Sequence, residues 1–255
     1  MRVFIEIAYD GGAYHGWQKQ PNAMTVQEEL EHYFFKLFQK PIALVGAGRT
    51  DAGVHARQMV AHVDLESHTD TEDLMYKLNR MLPKTISVLK IYKVHPEAHA
   101  RFDALSREYR YYISRKKDPF VFDFALWERR KLDVEAMNKA CALLKTYRNF
   151  QCFSKVKTDV KTYNCKIEKA FWKETDNQLI FTIKANRFLR DMVRAIVGTM
   201  LAIGFKRKEV AELKNIIESR DRAQAGKSVA AKGLFLHKIE YPKSIIDGIK
   251  YGKNI

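Results

Sequence analysis

Hydrophobic and polar positions alternate from Arg2 to Tyr9, where Val3, Ile5 and Ile7 interleave with Phe4, Glu6 and Ala8. A period of two predicts a strand. Leu30, Tyr33, Phe34, Leu37 and Phe38 then recur at helical spacing. Thr25, with Glu28 three residues on, supplies a capping box, and Pro41 ends that helix. Ile42 to Val45 reads as a short apolar strand running into a glycine loop, and Gln58 to Leu65 alternates again. Thr69 and Glu72 make a second capping box before the stripe Leu74, Leu78, Leu82, which Pro83 stops. Thr85 to Val94 is a further strand.

The later half continues in the same manner. Glu108 to Arg115 reads as a strand, and Asp133 caps a helix bearing Val134, Met137, Cys141 and Leu144. Ile167 to Glu174 and Gln178 to Ala185 read as a hairpin. Phe188 to Ile203 is predicted helical, with Gly204 closing it; Lys206 to Ser219 is a further helix and Leu234 to Tyr241 the last strand. The order strand, helix, strand, strand, helix, strand is the split ferredoxin-like unit, met once in each half. The expected class is α+β: two ferredoxin-like halves, residues 1–103 and 104–255, with antiparallel sheets joined into an extended central sheet and helices on one face. The repeat is one of topology, since identity between the halves is not evident.

Composition narrows the partners. Hydrophobic residues make up 46% of 255, enough for a real core. Lys and Arg number 45 against 30 Asp and Glu, an excess of +15 spread along the chain. That balance favours a polyanionic partner, nucleic acid or an anionic membrane, over a merely solvated basic surface. Cys141, Cys152 and Cys165 are odd in number and lack a C-x-x-C spacing, against both a disulfide framework and a cysteine zinc site. The opening MRVFIEIAYDGG reads as neither signal peptide nor membrane span, so a reducing cytoplasm is expected.

The candidate chemistry lies in GAGRTDAGVH, Gly46 to His55. A dinucleotide fingerprint fails there, because G-x-G-x-x-G needs glycine where Asp51 stands, and that carboxylate would repel a pyrophosphate. No G-K-[ST] follows to make a P-loop. Taken alone, Asp51 suits an Asx-turn, Arg49 an exposed ion pair and His55 a strand edge.

The stretch Gly46 to Ala56 resembles the signature of the tRNA pseudouridine synthase A family. Further blocks agree in order and spacing: Tyr9-Asp10-Gly11, Gly16-Trp17-Gln18, Gln20-Pro21 and Thr25-Val26-Gln27 resemble its opening. Asn79, Leu82-Pro83 and Ala100 to Ala104 resemble its middle, and Arg107 to Tyr111 its R-x-Y-x-Y strand. Phe188-Leu189, Met192-Val193-Arg194, Val197-Gly198 and Gly204 resemble its late helix, with Ala225-Gly226 and Gly233-Leu234 before the last strand. Arg187, Arg148-Asn149 and Ala230 depart from the family's usual glycine, His-Asp and proline, which bears on the choice of tRNA.

The resemblance implies isomerisation of uridine to pseudouridine at positions 38, 39 and 40 of the tRNA anticodon arm, without cofactor or metal. It makes Asp51 the catalytic nucleophile, with Arg49 helping to hold the displaced base and Arg194 pairing with the aspartate. Tyr109 is the stacking platform and a candidate for moving a proton, and Leu234 is the apolar residue beside the base. Arg187, Arg190 and Arg194 at i, i+3 and i+7 would share a helix face, with Asp191 between them. It further implies a homodimer spanned by one tRNA. Two rivals remain from the residues themselves. One is a non-catalytic RNA binder of RRM-like topology, although no RNP1 aromatic spacing is present. The other is a base-removing glycosidase that uses the same carboxylate.

Overall fold

A computed structural model describes residues 1–156 and 160–246. Nine strands and five α-helices among them make the protein α+β. The chain divides into two compact units, Met1–Leu105 with the stretch from Lys238 on, and Ser106–His237.

The first unit contains β1 (Arg2–Tyr9), α1 (Val26–Phe38), β2 (Val45–Gly46), β3 (His55–Asp64), α2 (Thr71–Met81) and β4 (Ile86–Lys93). Strand β1 is antiparallel to both its neighbours, Ile5 lying opposite Ala61 of β3 and Ile91 of β4. β2 pairs antiparallel with β3, Val45 opposite His62, so these four strands run β4-β1-β3-β2. A strand flanked on both sides buries more than one face: Phe4, expected on the polar side of the alternation, is as buried as Val3, Ile5 and Ile7. Its ring meets those of Tyr92 and Tyr241 edge-on, at 6.1 and 5.0 Å.

Helix α1 starts as its capping box predicts, Thr25 Oγ1 accepting from Glu28 N at 3.4 Å, and buries Val26, Leu30 and Phe34. It ends at Phe38, where Gln39 turns left-handed (φ 52°) before Pro41 is reached. The cap of α2 differs from expectation. Asp70, and not Thr69, takes the position, its carboxylate accepting from Glu72 N (2.9 Å) and Asp73 N (3.1 Å). A carboxylate serves two orphan amides and places negative charge at the positive helix end, which a threonine hydroxyl cannot match. Of the strand expected over Ile42 to Val45 only Val45 is paired, together with Gly46; Ile42 and Leu44 are buried without a ladder. β3 begins at His55, three residues before the expected Gln58.

Residues from Lys238 on complete this unit. Ile239 N donates to Gln58 Oε1 (2.9 Å), Leu105 N to Glu240 O (2.8 Å) and His95 N to Ile245 O (2.9 Å). Tyr241 Oη donates to Ala100 O at 2.5 Å.

The second unit contains β5 (Ser106–Ser114), β6 (Leu126–Trp127), α3 (Val134–Leu144), β7 (Ile167–Glu174), β8 (Gln178–Ala185), α4 (Met192–Gly204) and α5 (Glu212–Ser219), with β9 (Leu234–Glu240) beginning in it. β8 lies antiparallel between β5 and β7, Phe181 opposite Tyr111 and Trp172, and the predicted hairpin β7–β8 has the expected bounds. β6 runs parallel to β5. One asparagine ties a helix to an outer strand in each unit. Asn79 of α2 bonds both Val88 N and Val88 O of β4, and Asn138 of α3 bonds both Trp172 N and Trp172 O of β7. Each amide thus satisfies two backbone groups of a strand that ends its unit's ladder.

Two late helices are shorter than the pattern predicts. α4 starts at Met192, not Phe188, because Asp191 adopts φ 65°. α5 starts at Glu212, not Lys206, since Lys206 itself is left-handed at φ 58°. α4 is buried nearly all round, which is why its apolar residues show no single stripe. No helix among the described residues is long and apolar enough to cross a membrane.

Candidate active site

The loop carrying Asp51 joins β2 to β3 and is fastened along its length by residues 9–17 of the same unit. At its start, Gly46 lies against the Trp17 indole so closely that a Cβ would stand 2.3 Å from Nε1. Ala47 N donates to Val60 O at 2.8 Å. At Thr50 the side chain bonds Tyr9 Oη at 2.8 Å and the carbonyl accepts from Trp17 N at 3.3 Å. Gly16 passes beneath with φ 96°; a Cβ there would lie 2.4 Å from Thr50 O, so only glycine fits.

Asp51 follows, half-buried, between exposed Arg49 and exposed Ala52. Its carbonyl accepts from Val54 N at 3.1 Å, closing a turn in which Gly53 takes φ 74°. The Gly53 amide, which an Asx-turn at Asp51 would use, donates to Tyr14 O at 3.2 Å. At the far end buried His55 places Nδ1 3.0 Å from Gly11 N and 3.0 Å from Asp10 Oδ1. A neutral Nδ1 accepts from the first and a protonated one donates to the second; either bond moors the loop to residues 10–11. The sequence assigned no role to Tyr9, Trp17 or Thr50. Their partners lie about 30 to 40 residues away, and no local pattern reports such a contact.

Tyr109, Arg194 and Leu234 lie in the second unit. Tyr109 shares a face of β5 with Tyr111 and Ile113. The latter two are fully buried, whereas Tyr109 is half-buried and meets Phe188 edge-on at 5.1 Å. Tyr111 donates its phenol to Ala230 O at 2.9 Å, burial raising its pKa, as expected of a core tyrosine. Leu234 is buried at the head of β9, directly after Gly233, whose backbone rests on the Tyr111 ring.

Arg194 sits in the first turn of α4. Nε donates to Val229 O at 2.7 Å and Nη1 lies 3.3 Å from Asp191. Asp191 also accepts from Ser228 Oγ and stands 3.9 Å from Arg222. Gly198 and Gly226 let the 226–229 segment approach this closely: a Cβ on Gly226 would lie 2.6 Å from Thr199 N. Because α4 begins at Met192, Arg187 and Arg190 are off the helix, and the expected arginine stripe does not form.

Arg148, Asn149 and Ala230, which depart from the family pattern, have local accounts. Asn149 Oδ1 accepts from Gln151 N (3.0 Å) ahead of a short 3₁₀ turn, and Arg148 bonds the carbonyls of Lys145 and Tyr147. Ala230 adopts φ −55°, within the range to which a proline ring is confined. The three cysteines are buried, and burial pushes the Cys141 and Cys152 thiols up to about 12 and Cys165 to about 11, so none is a ready nucleophile.

A family model described as tRNA pseudouridine synthase matches residues 6–103 and 140–242. A tRNA pseudouridine synthase A of Parabacteroides distasonis is 51% identical over 245 residues, 96% of this chain and 97% of that protein. That of Porphyromonas gingivalis is 48% identical over 248 residues, 96% of this chain and 98% of that protein. That of Chlorobaculum tepidum is 39% identical over 240 residues, 94% of this chain and 97% of that protein.

Proposed function

The chain belongs to the tRNA pseudouridine synthase family, and on that premise we propose that it isomerises uridine to pseudouridine at positions 38, 39 and 40 of the tRNA anticodon arm, with Asp51 as nucleophile. The carboxylate attacks C1′ of the ribose, and the N1–C1′ bond breaks. The freed uracil turns and C5 attacks C1′, breaking the bond to the Asp51 oxygen and returning the carboxylate; the C5 hydrogen leaves as a proton while N1 gains one, so no atom is gained or lost. Chemistry of this balance needs neither metal nor redox cofactor.

The observation that carries the reading is the fastening of the Asp51 turn on both sides, at Gly46, Thr50, Gly53 and His55, with Asp51 itself left half-buried. A carboxylate held so firmly enters the reaction already oriented. The target base must leave its stack, which costs a few kcal/mol, and an aromatic platform returns about 1–3 kcal/mol. Tyr109 takes that role, since it is the half-buried end of an otherwise buried face. Arg49 and Arg194 are the cations assigned to base and carboxylate, and Leu234 the apolar neighbour of the base. The order β4-β1-β3-β2 in the first unit supports its reading as a ferredoxin-like half that carries the catalytic loop. Tyr109, Arg194 and Leu234 belong to the other unit. The same reading takes the protein as a cytoplasmic homodimer.

The test uses purified protein and a tRNA transcript. Pseudouridine should form at unchanged RNA mass; release of uracil would support a glycosidase, and an untouched transcript a binding protein. Asp51→Asn should abolish turnover while circular dichroism and tRNA binding persist. An unfolded Asp51→Asn would make the side chain a turn-former instead.

A further inference from the structure

Beneath the catalytic turn lies a polar pair that the reaction itself does not use. Thr50 and Tyr9 are 7% and 4% exposed, and their hydroxyls bond each other at 2.8 Å. Tyr9 is the last residue of β1 and is paired on both sides, with Ala56 of β3 and Ile86 of β4. Its main chain is therefore part of the sheet. Its ring also lies 6.1 Å from the buried Trp17 indole. Thr50 precedes Asp51 directly, and its carbonyl is held by Trp17 N. The residue before the nucleophile is thus fixed twice, once through its side chain and once through its backbone.

We propose that Thr50 is a positioning residue for the isomerisation, holding Asp51 in register with the sheet through its hydroxyl bond to Tyr9. The proposal rests on Asp51 being the nucleophile. Stability alone is a poor reason for the pair. A buried hydroxyl pair gains little net over the water bonds it replaces, and two apolar side chains of the same shape serve a core equally well. What a hydrogen bond adds is direction. It prevents Thr50 from sliding or rotating on the sheet, and any such movement is passed to the next residue along the chain. A displacement of about 1 Å at a reacting group costs on the order of a hundredfold in rate. Thr50 touches neither base nor sugar in this account and acts through Asp51.

The test is the single-turnover rate with protein in excess over tRNA, which does not depend on how much of the tRNA finds active protein. Tyr9→Phe and Thr50→Val each remove the bond while keeping shape. Each should lower the rate by roughly 10- to 100-fold, with tRNA affinity changed by less than about twofold. The double variant should be no slower than the slower single, because both remove one interaction. Thr50→Ser should recover most of what Thr50→Val loses. The proposal is overturned if Tyr9→Phe reacts at the wild-type rate while Asp51→Asn is inert. It is equally overturned if the two losses multiply, if Thr50→Ser is as slow as Thr50→Val, or if both single variants unfold, which would make the bond structural. Turnover surviving in Asp51→Asn would instead remove the reading beneath it.

Discussion

Acidification from pH 7 to pH 5 should cost the first unit about 2 kcal/mol through one side chain, His62. The imidazole is 6% exposed in β3, and Nδ1 accepts from Ala100 N at 3.1 Å. His99 packs edge-on at 4.7 Å. Burial first, then the neighbouring His99 and Arg2, push its pKa down from 6.5 to about 4, against opposing pulls from Asp64 and Asp103. The folded protein therefore binds this proton more weakly than the unfolded chain. Stability from the neutral ring is present above pH 6.5 and is lost as pH falls towards about 4. Fully expressed, the gap between those values is worth about 3 kcal/mol, of which about 2 falls between pH 7 and 5.

The shifted carboxylates fall outside that window. Asp64, Glu66, Glu128 and Glu212 also have shifted values, but theirs are lowered, and what they contribute is lost only below about pH 4.5. Urea unfolding at pH 7, 6 and 5 provides the measurement, on the wild type and on His62→Gln, whose amide oxygen can still accept from Ala100. The wild type should lose stability steadily across the series, and the variant should lose about 2 kcal/mol less. If His62→Gln falls as steeply as the wild type, the burial argument is wrong.

Two further outcomes are expected. Gly46→Ala brings a Cβ to 2.3 Å from the buried Trp17 indole, which should cost about 1–3 kcal/mol in urea unfolding and lower the single-turnover rate as well; Gly48→Ala, with nothing within 4 Å, should stay within about 0.5 kcal/mol. Affinity for tRNA in filter binding should fall at least tenfold between about 50 and 200 mM salt as cations displace counterions, and a flat response would contradict docking by the basic surface.

Sequence periodicity located the elements well where one local rule acts alone, as in the hairpin β7–β8. It misled where two rules overlapped. Thr69 with Glu72 and Asp70 with Asp73 are competing signatures one residue apart, and spacing cannot weigh a hydroxyl against a carboxylate. Nor can composition announce that Asp191 and Lys206 will turn left-handed and delay two helices. The loop of Arg49 and Asp51 was legible as a glycine-punctuated stretch with charged residues in it. Its support was not. Tyr9 and Thr50 are 41 residues apart, and a bond between them exists only once β1 and β3 have paired. The arginine stripe failed for the same reason as the helix that was to carry it.

The return of the chain to its first unit after Lys238 has a consequence on the ribosome. Residues 106–237 form an uninterrupted unit that can close while synthesis continues. The earlier-made portion cannot, because Ile239, Tyr241 and Ile245 supply partners for Gln58, Phe4 and His95. The region that carries Asp51 is thus translated first and finished last, and a nascent chain arrested before that return leaves it incomplete.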